Sequence, residues 1–144
     1  MRRGRLLAIG MLAVGSWLVM PAAHATETTL KATMTGAEEV PGPGDSDGKG
    51  TATIILDDAK NTACYQFTYE NIGKPTAAHV HTGAKGVAGP PAIDFKITTN
   101  GDKGCVPVDP AVLKAVRDNP AGHYVNIHTS DYGNGAIRGQ LAKG

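Results

Sequence analysis

Two histidines separated by one residue, His79 and His81 in the stretch AAHVHTG, have the residue type and spacing of a metal-binding pair. Successive side chains of a β-strand point to opposite faces, so His79 and His81 share one face and Val80 takes the other. Imidazole nitrogen is a suitable ligand for copper and for zinc. Two solvated imidazoles would show the same pattern, and a third ligand on the same face is needed to tell the two interpretations apart.

A third histidine lies in the stretch HYVNIHT. Alternation places Val125 and Ile127 in the core and His128 on the outer face, and it turns His123 away from that face. Three protein nitrogens with open coordination positions make a reactive site rather than a closed structural one. Common coordination at about 2.0–2.1 Å requires imidazoles that lie within about 5 Å of one another.

Arg138 adds a positive charge on the same outer face, in the last predicted strand, AIRGQLA. If residues 131–135 form a hairpin loop that pairs Ser130 with Ala136, His128 lies directly across from Arg138. Their Cβ atoms would then be about 4.5–5.5 Å apart. The three histidines and this arginine form the candidate site.

Other chemistry has less support. We assign Glu39, in the stretch EVP, to hydrogen bonding with loop backbone rather than to catalysis. The stretch DSDGKG resembles the start of a calcium loop, but Leu56 stands where the twelfth-position acid is required. Neither Ser46 nor Ser130 lies in a G-x-S-x-G motif, which argues against a serine hydrolase.

Short β-like segments separated by glycine and proline must position these residues. Seven segments alternate as half-buried strands do, and they are TLKATM, TATIILD, ACYQFTYE, AAHVHT, AIDFKIT, HYVNIHT and AIRGQLA. One helix is predicted over DPAVLKAVRDNP, with Asp109 as its N-cap, Pro110 at the first helical position and Pro120 beyond its end. The pattern predicts an all-β fold, an antiparallel sandwich or barrel with one short helix.

Residues 1–25 have the composition of a cleaved signal peptide. Three arginines precede a mostly apolar run from Leu6 to Met20, and residues 23–25 fit an A-x-A cleavage site. The run is shorter than the roughly 20 residues of a spanning helix, so we expect no membrane span in the mature chain, residues 26–144. The protein is therefore predicted to be periplasmic or secreted, with general and twin-arginine export both open.

The charge of the mature chain differs from that of the whole sequence. Of the 14 basic residues, three lie in residues 1–25, which leaves 11 against 13 acidic ones and a net charge of −2. Nucleic-acid binding needs a clustered basic face, and none is visible. We therefore expect no nucleic-acid partner. The histidines predict a metal ion as the partner, and a protein partner stays open.

Two cysteines, Cys64 and Cys105, lie in the mature chain. In an exported protein an even pair most simply forms a disulfide. The alternative, a two-thiolate metal site, would need reduced cysteines in an oxidising compartment.

Four stretches together resemble the CHRD domain family, named after chordin: LKATMTGAEEVPG, AAHVHTGAKGVAGP, the GC before the helix, and HYVNIHTSDYGNGAIRGQL. The resemblance covers nearly the whole mature chain. The CHRD fold is in turn similar to copper/zinc superoxide dismutase, which implies a Greek-key sandwich or barrel. HVHTGAKGVAGP resembles that enzyme's copper-binding H-V-H strand and the loop after it, and NIHTSDYGNGAIRG resembles its last copper histidine and active-site arginine.

The resemblance implies copper ligands at His79, His81 and His128, with zinc the less favoured ion, and Arg138 as an anion-attracting residue. The loop from Gly83 to Pro91 contains neither His nor Asp, however, so the bridging histidine and the zinc ligands of the dismutase are absent.

Three hypotheses for the function follow. The first is an exported protein that binds, buffers or delivers a copper-type ion through a three-histidine surface site. The second is a dismutase-type copper enzyme in which Arg138 steers superoxide, and the bare loop predicts weak or absent activity. The third is a metal-free extracellular interaction module whose histidines are structural.

Overall fold

The computed structural model describes residues 27–144, over which nine strands and one α-helix are formed. The predicted signal peptide, residues 1–25, lies outside this range. The strands are β1 (Glu27–Thr35), β2 (Lys49–Asp57), β3 (Thr62–Glu70), β4 (Pro75–Thr82), β5 (Pro91–Phe95), β6 (Lys103–Pro107), β7 (His123–Thr129), β8 (Ile137–Gln140) and β9 (Ala142–Lys143). The helix α1 spans Pro110–Asp118, and two 3-10 helices span Gly36–Glu38 and Pro120–Gly122.

The strands form one antiparallel sheet in the order β5-β4-β7-β8-β1-β2-β3-β6, with β9 added against β1. The segment after β5 then returns to β3, where the Tyr65 hydroxyl donates to Lys96 O at 2.6 Å and the Phe67 N–H donates to Asp102 O at 3.0 Å. These contacts nearly close the sheet into a barrel. The predicted all-β antiparallel fold with one short helix is confirmed.

Alternating residues of the strands fill the barrel interior. In β1, for example, Leu30, Ala32 and Met34 are buried while Lys31 and Thr33 are exposed. Three aromatic rings, those of Tyr65, Phe67 and Phe95, meet across the closing edge with centroids 4.9–5.6 Å apart. The core is therefore apolar, and polar chemistry is confined to the other face of the sheet.

Two strands were not predicted. In β6 the sequence KGCVP includes glycine and proline and lacks a clear apolar alternation, and β9 is only two residues long. The predicted fifth strand also ends early, at Phe95, although Ile97 beyond it is still buried. Pairing with β3 through the register Tyr65↔Gly104, rather than local composition, makes β6 a strand.

Cys64 and Cys105 form the predicted disulfide, with an S–S distance of 2.05 Å. The two residues are direct cross-strand partners in β3 and β6. Because β6 is the last strand of the sheet, the disulfide fastens this edge to its neighbour.

The helix begins as predicted, with the Asp109 carboxylate accepting from the Ala111 N–H at 2.7 Å. It packs Leu113 and Val116 into the core. None of the helices in the described part of the chain is long and apolar enough to cross a membrane.

Candidate metal centre

The neighbouring strands β4 and β7 bring the three predicted ligands together. The register pairs His79 with Asn126 and His81 with Tyr124, and it places His128 two pairs beyond His79, opposite Ala77. Since alternate residues share a face, His79, His81 and His128 all project from the side of the sheet opposite Val80, which is fully buried in the core. The predicted common face of the histidines is confirmed.

One nitrogen from each imidazole lies within 4.8 Å of one from each of the others, an arrangement that can hold a metal ion. His79 Nδ1 and His128 Nε2 are 3.0 Å apart. His81 Nε2 is buried and has no hydrogen-bond partner. The nitrogens are within the separation of about 5 Å that the sequence analysis required of the imidazoles.

The second nitrogen of each ring lies at hydrogen-bond distance from an oxygen atom. His81 Nδ1 donates to Gly89 O at 2.8 Å, and His128 Nδ1 donates to Gly133 O at 3.0 Å. His79 Nε2 lies 3.0 Å from the carboxylate of Asp94. Because carbonyl and carboxylate oxygens only accept, the neutral rings carry their hydrogens on these nitrogens and their lone pairs on the nitrogens that converge. Such outer partners orient metal-binding histidines in known sites.

The pKa values of two of these histidines favour the form that binds metals. Burial lowers the pKa of His79, and the nearby charge of His128 lowers it further. Burial also lowers the pKa of His128, against a partial rise from the bond to Gly133. The neutral imidazole is therefore favoured for both rings.

The face that carries the histidines is more covered than the predicted surface site. His81 is only 8 % exposed, and His79 and His128 are half-buried. The cover is the loop of residues 83–90, which carries Gly89 O against the His81 ring. Strand alternation identifies the face of a side chain but not the loops that fold over it, so the outer position was predicted and the burial was not.

The sequence analysis predicted that Arg138 lies directly across from His128, and this prediction is wrong. Its cross-strand partner is Asn126, and Ile127 pairs with Ile137. The loop between β7 and β8 is longer than the predicted hairpin loop, because the Ala136 N–H donates to Ile127 O. Within this loop, the N–H groups of Thr129 and Gly135 donate to Tyr132 O. The register is therefore shifted by two residues, which keeps Arg138 on the face of the histidines.

Arg138 is buried, with 1 % of its surface exposed. Its Nη2 donates to Ala84 O and to Val87 O, both at 2.9 Å. Its guanidinium carbon lies 3.4 Å from the centroid of the Tyr124 ring. Its Nη1 has no hydrogen-bond partner.

Glu39 lies in the same buried region, on the segment between β1 and β2. It is 6 % exposed, and its carboxylate occupies the space where a side chain at Gly135 would begin, 2.3 Å from the ideal Cβ position. Burial raises its pKa to about 7, although the Arg138 charge and hydrogen bonds from Val40 and Asn126 oppose that rise. The predicted hydrogen bonding of Glu39 to loop backbone stays a prediction, and its burial beside Arg138 was not predicted.

Sequence reasoning missed the roles of Tyr124 and Asn126. Both share the strand parity of His128, which was the available signal, but neither was assigned to the site. Tyr124 stacks on the His81 ring, with centroids 4.8 Å apart and planes 6° apart. Asn126 lies between His79 of β4 and Arg138 of β8 in the register. His123, by contrast, bonds through Nδ1 to Asn119 O at 2.8 Å and lies outside the cluster.

Comparison with family models matches residues 30–141 of the chain to the CHRD domain. No curated protein and no solved structure matches it. The expected likeness to copper/zinc superoxide dismutase therefore stays a prediction.

Proposed function

This chain belongs to the CHRD domain family, and we propose that it is an exported protein that binds a copper-type ion through His79, His81 and His128. The convergence of three imidazole nitrogens within 4.8 Å carries the proposal. A buried ring nitrogen without a partner, as at His81 Nε2, leaves a polar atom that a ligand would satisfy. The metal would be held for binding, buffering or delivery.

The distances and donor types fit a first-row metal. At metal–nitrogen distances of about 2.0–2.1 Å, two ligands of one ion lie at most roughly 4.2 Å apart. The His79–His128 pair, at 3.0 Å, is already within that range. The other separations are all within 4.8 Å and need at most a small contraction. Imidazole ligands suit copper and zinc, and divalent affinities are highest for copper. Copper is therefore the favoured ion and zinc the less favoured one.

The disulfide supports an extracellular or periplasmic location. Such bonds persist in oxidising compartments and are rare in the cytosol. Cys64 and Cys105 are also thereby removed from the possible metal ligands, which leaves an all-nitrogen set. This agrees with the signal-peptide composition of residues 1–25.

A dismutase-type enzyme is the second candidate, and it has less support. The loop from Gly83 to Pro91 supplies no histidine or aspartate for a second metal. Arg138, the residue expected to attract anions, is 1 % exposed and bound to backbone carbonyls. We propose that any dismutation is weak or absent.

Copper titration of the exported, disulfide-bonded protein against a competing chelator tests the proposal. We expect one copper per chain, and we expect His79→Ala, His81→Ala and His128→Ala each to weaken binding strongly. Losing a direct ligand should exceed the roughly 10–100-fold effect of losing an outer-shell partner. His123→Ala is the matched control, since this histidine lies on β7 but outside the cluster.

Two outcomes would contradict the proposal. Equal weakening by His123→Ala and His128→Ala would show that binding does not depend on the cluster. If none of the four variants changes binding, and elemental analysis of the exported protein finds no metal, the metal-free interaction module is the correct function.

A further inference from the structure

The His81 imidazole is fixed from two directions, unlike the other two rings. Its Nδ1 donates to Gly89 O in the covering loop of residues 83–90, at 2.8 Å. Its face stacks on the Tyr124 ring, with planes 6° apart. The loop and the ring are also joined to each other, because the Tyr124 hydroxyl accepts from the Gly89 N–H at 3.2 Å. His81 therefore depends on two elements that are not part of its own strand.

Arg138 holds both of these elements. Its guanidinium lies 3.4 Å over the Tyr124 ring, and its Nη2 bonds the loop at Ala84 O and Val87 O. The Tyr124 ring thus contacts both the His81 ring and the Arg138 guanidinium. One side chain thus contacts the ring that supports His81 and the loop that accepts its hydrogen bond.

The chemistry of arginine suits this task. A planar guanidinium stacks on an aromatic face while its N–H groups bond in its own plane, which a lysine ammonium cannot reproduce. Gln140 reinforces the same loop from β8, donating to Gly83 O at 2.7 Å. Buried Glu39 lies near enough to Arg138 to interact with its charge.

His79 and His128 do not depend on Arg138 in this way. The outer nitrogen of His79 meets Asp94 of β5, and that of His128 bonds Gly133 in the turn before β8. Neither contact involves the Tyr124 ring or residues 83–90. A loss of Arg138 should therefore act on one ligand of the three.

We propose that Arg138 is a positioning residue for the metal centre, which orients His81 through Tyr124 and the loop of residues 83–90. The proposal rests on the proposed metal binding of the three histidines. It gives Arg138 a task that uses its burial and its bonds to backbone carbonyls, whereas attraction of an anion would require access to its guanidinium.

The experiment measures Cu(II) affinity by chelator competition for Arg138→Lys in three backgrounds: the wild type, His81→Ala and His128→Ala. In the wild type we expect a loss of about 10–100-fold, as for other outer partners of metal ligands. In the His81→Ala background we expect no further loss, and in the His128→Ala background we expect the loss to persist. This selectivity is a coupling that a general loss of stability would not produce.

One control accompanies it. Arg117→Lys replaces a partly buried arginine that pairs with Asp58 and Asp118 away from the site, and it should leave copper affinity unchanged. If Arg138→Lys does not fold, Tyr124→Leu, which removes the stacking surface, replaces it in the same three backgrounds.

A measurement without metal separates this inference from the proposed function. By NMR, the His81 Nδ1–H should exchange slowly in the metal-free wild type and rapidly in Arg138→Lys, while the His128 Nδ1–H is unchanged. If the wild type binds no copper but this difference is seen, the positioning role holds and the metal function is wrong. Unchanged His81 exchange and affinity in Arg138→Lys, or an equal loss in the His81→Ala background, overturns the positioning role.

Discussion

Replacing Glu39 by glutamine isolates the effect of a buried carboxyl group on folding. The Glu39 side chain is 6 % exposed, and burial raises its pKa from 4.5 to about 7 in the folded protein. Between these two pH values the folded chain keeps a proton that the unfolded chain releases. The stability contribution of this group is therefore lost as the pH rises from about 4.5 to about 7. The amide of the Glu39→Gln variant does not titrate, so the variant lacks this loss.

The size of the effect follows from the pKa difference. Each pKa unit corresponds to about 1.4 kcal/mol, so a shift of this size gives the variant an advantage that grows by about 3 kcal/mol between pH 4.5 and pH 8. The attraction of the ionised carboxylate to Arg138 and its hydrogen bonds oppose the cost of burial, and both are already included in this net pKa shift. Any effect of the substitution on packing does not depend on the protonation of residue 39. Only the pH dependence is therefore attributed to the carboxyl group.

Urea unfolding at pH 4.5, 6, 7 and 8, with a chelator present and the disulfide intact, measures this difference. The matched control is Glu38→Gln, since Glu38 is the preceding glutamate and its carboxylate pairs with Lys85 at the surface. The titration of the histidines is common to all three proteins and cancels in the comparison. A constant difference between Glu39→Gln and the wild type across this range, or an equal pH dependence in Glu38→Gln, would refute the burial argument.

Three further predictions concern the metal, the disulfide and catalysis. Copper affinity should be constant at neutral pH and should fall on acidification below the usual histidine range, because burial lowers the pKa values of His79 and His128 and only the neutral rings bind. Copper titrations from pH 5 to 8 would contradict this if affinity rose on acidification. Removing the disulfide by Cys64→Ala and Cys105→Ala should lower the free energy of unfolding by about 4 kcal/mol for its sequence separation of 41, and a urea-unfolding difference near zero would contradict it. The copper-loaded protein should show weak or absent dismutation in a superoxide-consumption assay, and turnover of about 10⁸–10⁹ M⁻¹s⁻¹ would show the opposite.

Strand alternation was sufficient to predict the histidine cluster. The predicted face of each side chain is correct even though the predicted register of β7 and β8 is wrong. The predicted pairing of β7 with β8 was wrong by two residues, but a shift of two leaves every side chain on its face. His79, His81, His128 and Arg138 therefore share the predicted side of the sheet even though their partners differ. A shift of one residue would have moved Arg138 into the core.

The burial of the site and the position of β6 depend on contacts between residues that are distant in the sequence, and no local pattern predicts them. Arg138 reaches Ala84, 54 residues away in the chain. Glu39 lies outside the strands, and its carboxylate is buried against Gly135 and beside Arg138, which are about 100 residues further along the chain. The edge strand β6 is short and weakly alternating, and it is defined by its pairing with β3. Loop placement and long-range pairing determine which polar side chains of an outer face become buried, so the burial of the site could not be derived from the sequence.

The position of β1 has a consequence for when the centre is assembled. This strand pairs with β2, which follows it in the chain, and also with β8 and β9 near the other end of the described residues. Non-local pairings of this kind slow folding, because distant segments must meet before contacts repay the lost chain entropy. A chain still emerging from the ribosome presents only the His79–His81 pair, since His128 follows with β7. The cluster of three histidines is therefore complete only after β7 has paired with β4.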